Sequence, residues 1–559
     1  MPPSSNSTLK PNPSPSGSNP VATNIGSEWL LLAGFCGFLF FFGLSYFGLV
    51  GADEPRYAQV AREMLARHDW VTPTLGGRPW LEKPALYYWQ TMLAYRFFGV
   101  SDWAARLFSA VDATLMVLAV YLFLRHFRSG FSFTGFQLDG ALMTASASGV
   151  IGFARAASMD MPLAATFTVA MLAWYAWYER ASQRYLAIFY AFLGLATLAK
   201  GPVAPFLAAV IVTIFAAAKG DYRLIARTCW IPGIALFTMV ALPWYVAVQL
   251  NNPEFFRVFI LEHNLQRFGR DIYHHTQPFW YYLPVVVLAL VPWTVFVIAA
   301  LVESIRVWWT EKRKMLQSED ALPAFLVIWF LVPLAFFSSS ASKLPGYILP
   351  ALPAGTLLLA EYVRRHVVDK DRPGLPLLLL HSIVAALPVV AALMMQYIVF
   401  QHRLPWGRAA AISLGFAAVL AVGIALTLRG QVGLRVLRFV TLVPVVLAVA
   451  AVLRLGAPAL DATLSARPLS QEVSRVDNRS LPLAILQLSR ETEYGLQFYR
   501  NQNIARYELG QVPNGEHLLI TREGQQVNIA KWTTIRRVTY LGSFAPQGLD
   551  YYWVGKGSN

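Results

Sequence analysis

Residues 51–90 read GADEPRYAQVAREMLARHDWVTPTLGGRPWLEKPALYYWQ, and they follow directly on an apolar run at 29–50. That run is long enough to cross a bilayer, which takes about 20 apolar residues in a helix. Asp53 and Glu54 therefore stand where a helix leaves the membrane. The chain does not turn into a short polar loop there. Tyr57, Val60, Met64 and Leu65 repeat with helical spacing, with Arg56, Glu63 and Arg67 on other faces, which predicts an amphipathic helix along the interface. A second segment, LEKPALYYWQTMLAYRFFG, carries the aromatic face typical of that depth.

The rest of the chain agrees with a membrane setting. Of its 559 residues, 56% are hydrophobic and only 14% are charged, against about 25% charged in soluble domains. Apolar runs of spanning length recur near 28–50, 107–126, 137–154, 162–180, 185–199, 202–218, 229–249, 280–303, 323–341, 347–363, 375–399, 408–428 and 436–455, which predicts roughly thirteen helices. The basic stretches RHFRSG, ERASQRY, KGDYRLIAR, RVWWTEKRK, RRHVVDKDR and RGQVGLRVLR occupy every second loop. That alternation places them, and the amino terminus, in the cytoplasm. It also accounts for the net charge of +15 without nucleic acid, for which no motif is present. The loops 51–106, 155–161, 200–202, 250–279, 340–347 and 400–407 then face outward. Residues 1–27, rich in Pro, Ser and Asn, predict a disordered tail with no cleavable signal. Residues 457–559 lose the long apolar runs and predict a small outer α/β domain. Cys36 and Cys229 form no CxxC pair and no disulfide framework.

The outward loops hold the chemistry. Asp53 reads either as the N-cap of the first interfacial helix or as a catalytic carboxylate at the membrane surface. In RPWLEKP, Lys83 either anchors an interfacial belt or binds an anion. Arg155, Lys200, Arg267, Arg270 and Lys343 share its side of the membrane, where positive residues are normally scarce, so a lipid phosphate is the natural ligand. Arg155 and Asp160 in ARAASMDMP could simply pair with each other, and Lys200 could simply snorkel. Glu82 with His263 could hold a divalent ion, or His263 could be an ordinary loop histidine.

Taken in order, ADEPRYAQVAREML, GRPWLEKPALYYW, ARAASMDMP, LAKGP and SSASKLPGYILPALP resemble the GT-C membrane glycosyltransferases. The likeness is to their protein O-mannosyltransferase-like branch, nearest the lipid A 4-amino-4-deoxy-L-arabinose transferases that confer polymyxin resistance. It runs from residue 28 to about 360. It implies a polytopic helical fold with a C-terminal periplasmic domain, a multi-pass place in the bacterial inner membrane, a sugar donor on undecaprenyl phosphate, lipid A as acceptor, and a monomer. It implies that Asp53, Glu54 and Asp160 serve catalysis. Arg56, Tyr57, Lys83, Lys200, Arg267, Arg270, Lys343 and Tyr347 would hold the donor and its phosphate. No cofactor is required by the chemistry. A divalent metal, zinc or magnesium, is implied only as an accessory, with Glu82 and His263 as ligands. Two other readings fit the residues less well. One is transfer of another sugar to protein or glycan hydroxyls, with Asp53 as base. The other is a lipid flippase, which the absence of an inverted repeat disfavours.

Overall fold

The computed structural model describes residues 25–127, 135–266, 277–310, 321–368, 372–399, 405–430, 433–476, 479, 481–533 and 536–556. Within these, seven helices are long and apolar enough to cross a membrane, or eight if the bent pair Phe279–Ala289 and Thr294–Thr310 counts as one span. The thirteen predicted spans are thus not matched one for one. The first run ends its helical part at Phe41, and residues 42–50 turn back instead of extending the helix. The run at 137–154 is broken at Ala147, whose ψ of 127° divides Phe136–Ser146 from Ser148–Ala154. The run at 280–303 is bent by 118°. Apolarity fixed where these segments lie, but the backbone breaks are not written in hydrophobicity.

Helix Asp160–Arg180 packs along Gln183–Lys200 and along Asp102–Phe127. Aromatic side chains fill the seams: the ring of Trp174 stacks on Phe325 at 5.5 Å, and Tyr175 lies 4.9 Å from Phe325. In a bilayer such packing takes over from the hydrophobic effect as the force between helices.

The interfacial helix forms as Asp53–Ala66. Tyr57, Val60 and Met64 are buried, as the helical spacing requires. Glu63, expected on an outer face, instead accepts bonds from Thr74 Oγ1 and from the amides of Gly76 and Gly77 (2.9, 2.8 and 3.1 Å). It thereby secures the hairpin of β1 (Thr74–Leu75) and β2 (Arg78–Pro79) against the helix.

The last apolar helices run on to Leu464, so the outer domain begins a few residues past 457. Its sheet joins β3 (Leu483–Leu486), β4 (Ala505–Arg506), β5 (His517–Arg522), β6 (Val538–Phe544) and β7 (Leu549–Val554) in the order β4-β3-β5-β7-β6. β3 is parallel to β4 and β5, while β7 is antiparallel to β5 and β6. Helices Arg467–Val476 and Arg490–Arg500 accompany it. The short apolar stretches LPLAILQL, HLLIT, RRVTYLG and YYWVGK each contain strand residues, whereas β4 lies outside them.

This domain is fastened to the turn that precedes Asp53. Arg467 bonds Asp102 and Asp461 (2.8 and 2.7 Å). Asp461 accepts the Gly48 amide (2.7 Å), and the Tyr499 hydroxyl accepts that of Leu49 (2.7 Å) while donating to Asp102 (2.7 Å). The outer domain and residues 45–50 therefore share one side of the membrane. A Cβ at Gly48 would stand 2.2 Å from Ser465 Oγ and 2.5 Å from the Tyr499 hydroxyl. Gly48→Ala is expected to prise the domain from the turn and to cost about 1–3 kcal/mol through overpacking. Limited proteolysis checks this: cleavage after residue 456 should speed up relative to the native chain.

Candidate active site

The site begins at a turn. Residues 42–52 reverse direction, and Asp53 opens the interfacial helix. Asp53 is not its N-cap: Ala52 holds that place and no side chain caps the helix. The Asp53 carboxylate pairs instead with Arg56, three residues on, and stays half exposed at 53%. The capping role is thereby excluded, and the carboxylate is left facing a pocket.

That pocket has a volume of about 450 Å³. Asp53, Arg56, Tyr57, Trp80, Glu82 and Lys83 line it from the first loop. Leu344 comes from a later loop, and Ser489, Arg490 and Glu491 come from the outer domain. The Arg56 guanidinium lies 5.1, 5.2 and 5.6 Å from the rings of Tyr57, Trp80 and Tyr494, a cage that fixes a cation by its faces while its edges remain for hydrogen bonds. Burial alone would lower the Arg56 pKa, but Tyr57, Asp53 and Glu82 outweigh it and raise it. Burial, and then the charge of Asp53, raise the Tyr57 phenol above its ordinary value, so Tyr57 enters as a neutral hydroxyl.

Glu54 stands one residue from Asp53 and does something different. It is buried, and its carboxylate takes the Arg106 guanidinium (2.5 Å) and the amides of Val50 and Ala157 (3.0 Å each). Successive residues of a helix point about 100° apart, and here that sends Glu54 inward. The expectation that Glu54 serves catalysis is corrected: its oxygens are engaged in tying the turn, the 155–161 loop and helix Asp102–Phe127 together.

Asp160, Lys200 and Tyr347 form a second cluster. Asp160 pairs with Lys200 and accepts the Ser158 hydroxyl (2.9 Å). The Lys200 ammonium lies 4.3 Å from the Tyr347 ring. So Lys200 does not merely snorkel, and Arg155 is not the partner of Asp160; Arg155 donates to the Leu39 carbonyl (3.1 Å). Asp160 contributes to the raised Tyr57 pKa, as Asp53 does, so the charges of both carboxylates reach Tyr57. Lys343 is buried and donates to the Ser340 carbonyl (2.5 Å). Desolvation lowers its pKa, and its ammonium turns back into its own loop, so the donor-phosphate role expected of it is not met in this arrangement.

Arg267 and Arg270 lie outside the described residues, as does the side chain of His263. Among the described residues no three His, Cys, Asp or Glu side chains converge as metal ligands, so the described part of the site does not by itself provide for a divalent ion. Four contributors escaped sequence reading. Ser489, Arg490, Glu491 and Tyr494 come from a helix more than 400 residues away, and no local signal ties them to the first loop. Arg106 could have been found, because a lone arginine at the mouth of an apolar span demands a partner.

Residues 29–259 match the dolichyl-phosphate-mannose-protein mannosyltransferase family model. An undecaprenyl phosphate-alpha-4-amino-4-deoxy-L-arabinose arabinosyl transferase of Pseudomonas paraeruginosa is 31% identical over 389 residues, 68% of each chain. The chain belongs to this arabinosyl transferase family. Relatives of the same description in Pseudomonas fluorescens and Pseudomonas aeruginosa are 31% and 32% identical, over 66% and 60% of this chain. The chain spans 61% and 59% of their lengths. The crystal structure of ArnT from Cupriavidus metallidurans bound to undecaprenyl phosphate superposes with a TM-score of 0.72 at 21% identity, covering 95% of this chain and 98% of that one. Its apo form gives 0.71 at 20%. The GT-C fold is thus established, with a C-terminal sheet domain.

Asp160 touches the loop of Tyr347 closely. A Cβ at Gly346 would lie 2.5 Å from the Asp160 Cγ, whereas one at Gly152 meets nothing within 4 Å. Gly346→Ala should destabilise the protein by about 1–3 kcal/mol, and Gly152→Ala should not destabilise it. Thermal unfolding of both variants in one detergent checks the pair.

Proposed function

We propose that the protein moves 4-amino-4-deoxy-L-arabinose from undecaprenyl phosphate to a phosphate of lipid A, at the periplasmic face of the inner membrane, and so confers resistance to polymyxin and cationic peptides. One observation carries this reading: Asp53, Arg56 and Lys83 line one pocket together with Ser489, Arg490 and Glu491 of the C-terminal domain. Family membership supports the donor, since the relatives are named for undecaprenyl phosphate and the aminoarabinose it carries.

In the reaction the bond from the sugar's anomeric carbon to the carrier phosphate breaks, and its electron pair stays on the phosphate oxygen. An oxygen of the acceptor phosphate forms the new bond on the opposite face, with inversion. The transition state is oxocarbenium-like. Lys83 and Arg56, which line the same pocket, neutralise the departing phosphate. Asp53 supports the positive sugar ring or its ammonium. An acceptor phosphate is already an anion and needs no base. Asp53 suits this division of labour, because Arg56 already occupies part of its hydrogen-bonding capacity. A hydroxyl acceptor would instead need that carboxylate free to take a proton.

Both substrates keep their tails in the bilayer while their headgroups meet in the pocket. The test is lipid A mass spectrometry in a polymyxin-sensitive Gram-negative strain that makes the aminoarabinose donor but lacks its own transferase. The native chain should add an aminoarabinose mass to lipid A. Asp53→Asn should abolish the addition, and Lys83→Ala should slow it roughly 10²-fold, about 3 kcal/mol of barrier. An addition that survives both substitutions at equal expression removes this site. Sugar appearing on envelope protein instead of lipid A moves the acceptor to a hydroxyl.

A further inference from the structure

Arg56 lines the pocket beside Asp53, and hydrogen bonds hold only one of its nitrogens. Nη2 pairs with Asp53 and reaches the Tyr57 hydroxyl (3.4 Å). Nε is buried, and neither it nor Nη1 has a hydrogen-bond partner among the described residues. A planar guanidinium held at one corner can still swing about that corner. Its orientation must then come from its faces, where an aromatic ring attracts a cation within about 6 Å. Tyr57 and Trp80 supply two rings from the first loop, at 5.1 and 5.2 Å. Tyr494 supplies the third, at 5.6 Å, from the C-terminal domain.

Tyr494 owes its place to its own helix, Arg490–Arg500. Residues four apart share a helix face, so Tyr494 and Phe498 point the same way. Phe498 is buried in one apolar cluster with Tyr57, Ala61 and Met64 of helix Asp53–Ala66. Its carbonyl accepts Arg62 Nη1 from that helix (3.1 Å). The next residue, Tyr499, bonds Leu49 and Asp102. The ring of Tyr494 therefore reaches Arg56 through the docking of one domain on the other, and through nothing local to the first loop.

We propose that Tyr494 is a positioning residue for donor binding: its ring completes the cage that holds the Arg56 guanidinium, with Nη2 on Asp53 and Nη1 left for the carrier phosphate. The inference rests on the donor assignment made above. It gives the C-terminal domain a part in recognising the donor headgroup without a contact of its own to the lipid. Without the Tyr494 ring the guanidinium keeps two faces of its cage and gains freedom to turn. A phosphate must then order it on binding, and ordering a loosened side chain weakens affinity. Asp53 would lose its fixed cation at the same time, because Arg56 is its ion-pair partner.

Two measurements on the purified full chain test this. The first is titration with undecaprenyl phosphate in detergent. Tyr494→Leu, which keeps bulk and removes the aromatic face, should weaken binding by about fivefold. Tyr494→Phe, which keeps the face, should restore most of that loss. In an Arg56→Gln background Tyr494→Leu should change nothing further, because its effect passes through the guanidinium. The second measurement needs neither substrate nor turnover: labelling of Arg56 by phenylglyoxal, read by peptide mass spectrometry. Tyr494→Leu should speed it severalfold, and Tyr494→Phe should not. Binding and labelling both unchanged in Tyr494→Leu overturn the proposal. So does an equal loss of binding in the Arg56→Gln background, which a merely structural role would give, and so does a Phe variant as weak as the Leu variant. If the native chain binds no undecaprenyl phosphate, the donor assignment fails, and the positioning of Arg56 for that phosphate fails with it. Faster labelling in Tyr494→Leu would then show that the cage stands without the donor, so the two failures are told apart.

Discussion

The buried pair of Glu54 and Arg106 holds this site together. Arg106 is wholly buried, and its guanidinium serves Glu54 and the carbonyls of Leu44, Phe47 and Gly48 (2.5–2.9 Å). Taking two charges out of water costs several kcal/mol per ion, and their attraction repays it only when the remaining donors and acceptors are satisfied. Here the turn at 44–50, which has no regular structure of its own, takes the Nη donors, while Arg106 Nε is left without a partner among the described residues. The turn gives its carbonyls to Arg106, and the Val50 amide to Glu54. A charge pair inside the protein thus shapes an irregular segment, and that segment delivers Asp53 to the pocket.

Everything else in the site leans on that turn. The outer domain grips it through Asp461, Arg467 and Tyr499, and in doing so brings Ser489, Arg490 and Glu491 to the far wall of the pocket. The 155–161 loop reaches it through the Ala157 amide and carries Asp160 to Lys200. Asp53 and Asp160 each have a cation beside them, and the charges of both act on the neutral Tyr57. The proposed transfer of a sugar from one phosphate to another uses this mixture: cations for the phosphates, carboxylates for a positive ring.

Much of this was legible in the sequence, for physical reasons that differ by element. The membrane class follows from apolar length, which is a composition signal. The interfacial helix followed from the spacing of Tyr57, Val60 and Met64. The breaks at 42, 147 and 290–293 were not legible, because hydrophobic runs continue through them. Asp53 and Lys83, singled out as residues that a membrane exit does not otherwise need, both line the pocket. Glu54 was misread because adjacency in sequence was taken for adjacency in function, whereas one helical step turned it from the pocket to the core. Lys343 was misread for a related reason: a motif fixes which residue is present but not which way a flexible four-carbon side chain turns. The outer-domain contribution was invisible, since it arises only from tertiary contact.

The central claim is that Glu54 acts as an anchor through Arg106 and not as a reacting group. A double-mutant cycle on Glu54→Gln and Arg106→Met measures this most directly, read by thermal unfolding of the purified full chain. The account predicts a loss of about 3–5 kcal/mol for each single variant, because each strands a buried partner. The double variant should lose less than the sum, with a coupling on the order of 2 kcal/mol. Additive losses would contradict it. So would a Glu54→Gln protein of native stability that no longer modifies lipid A.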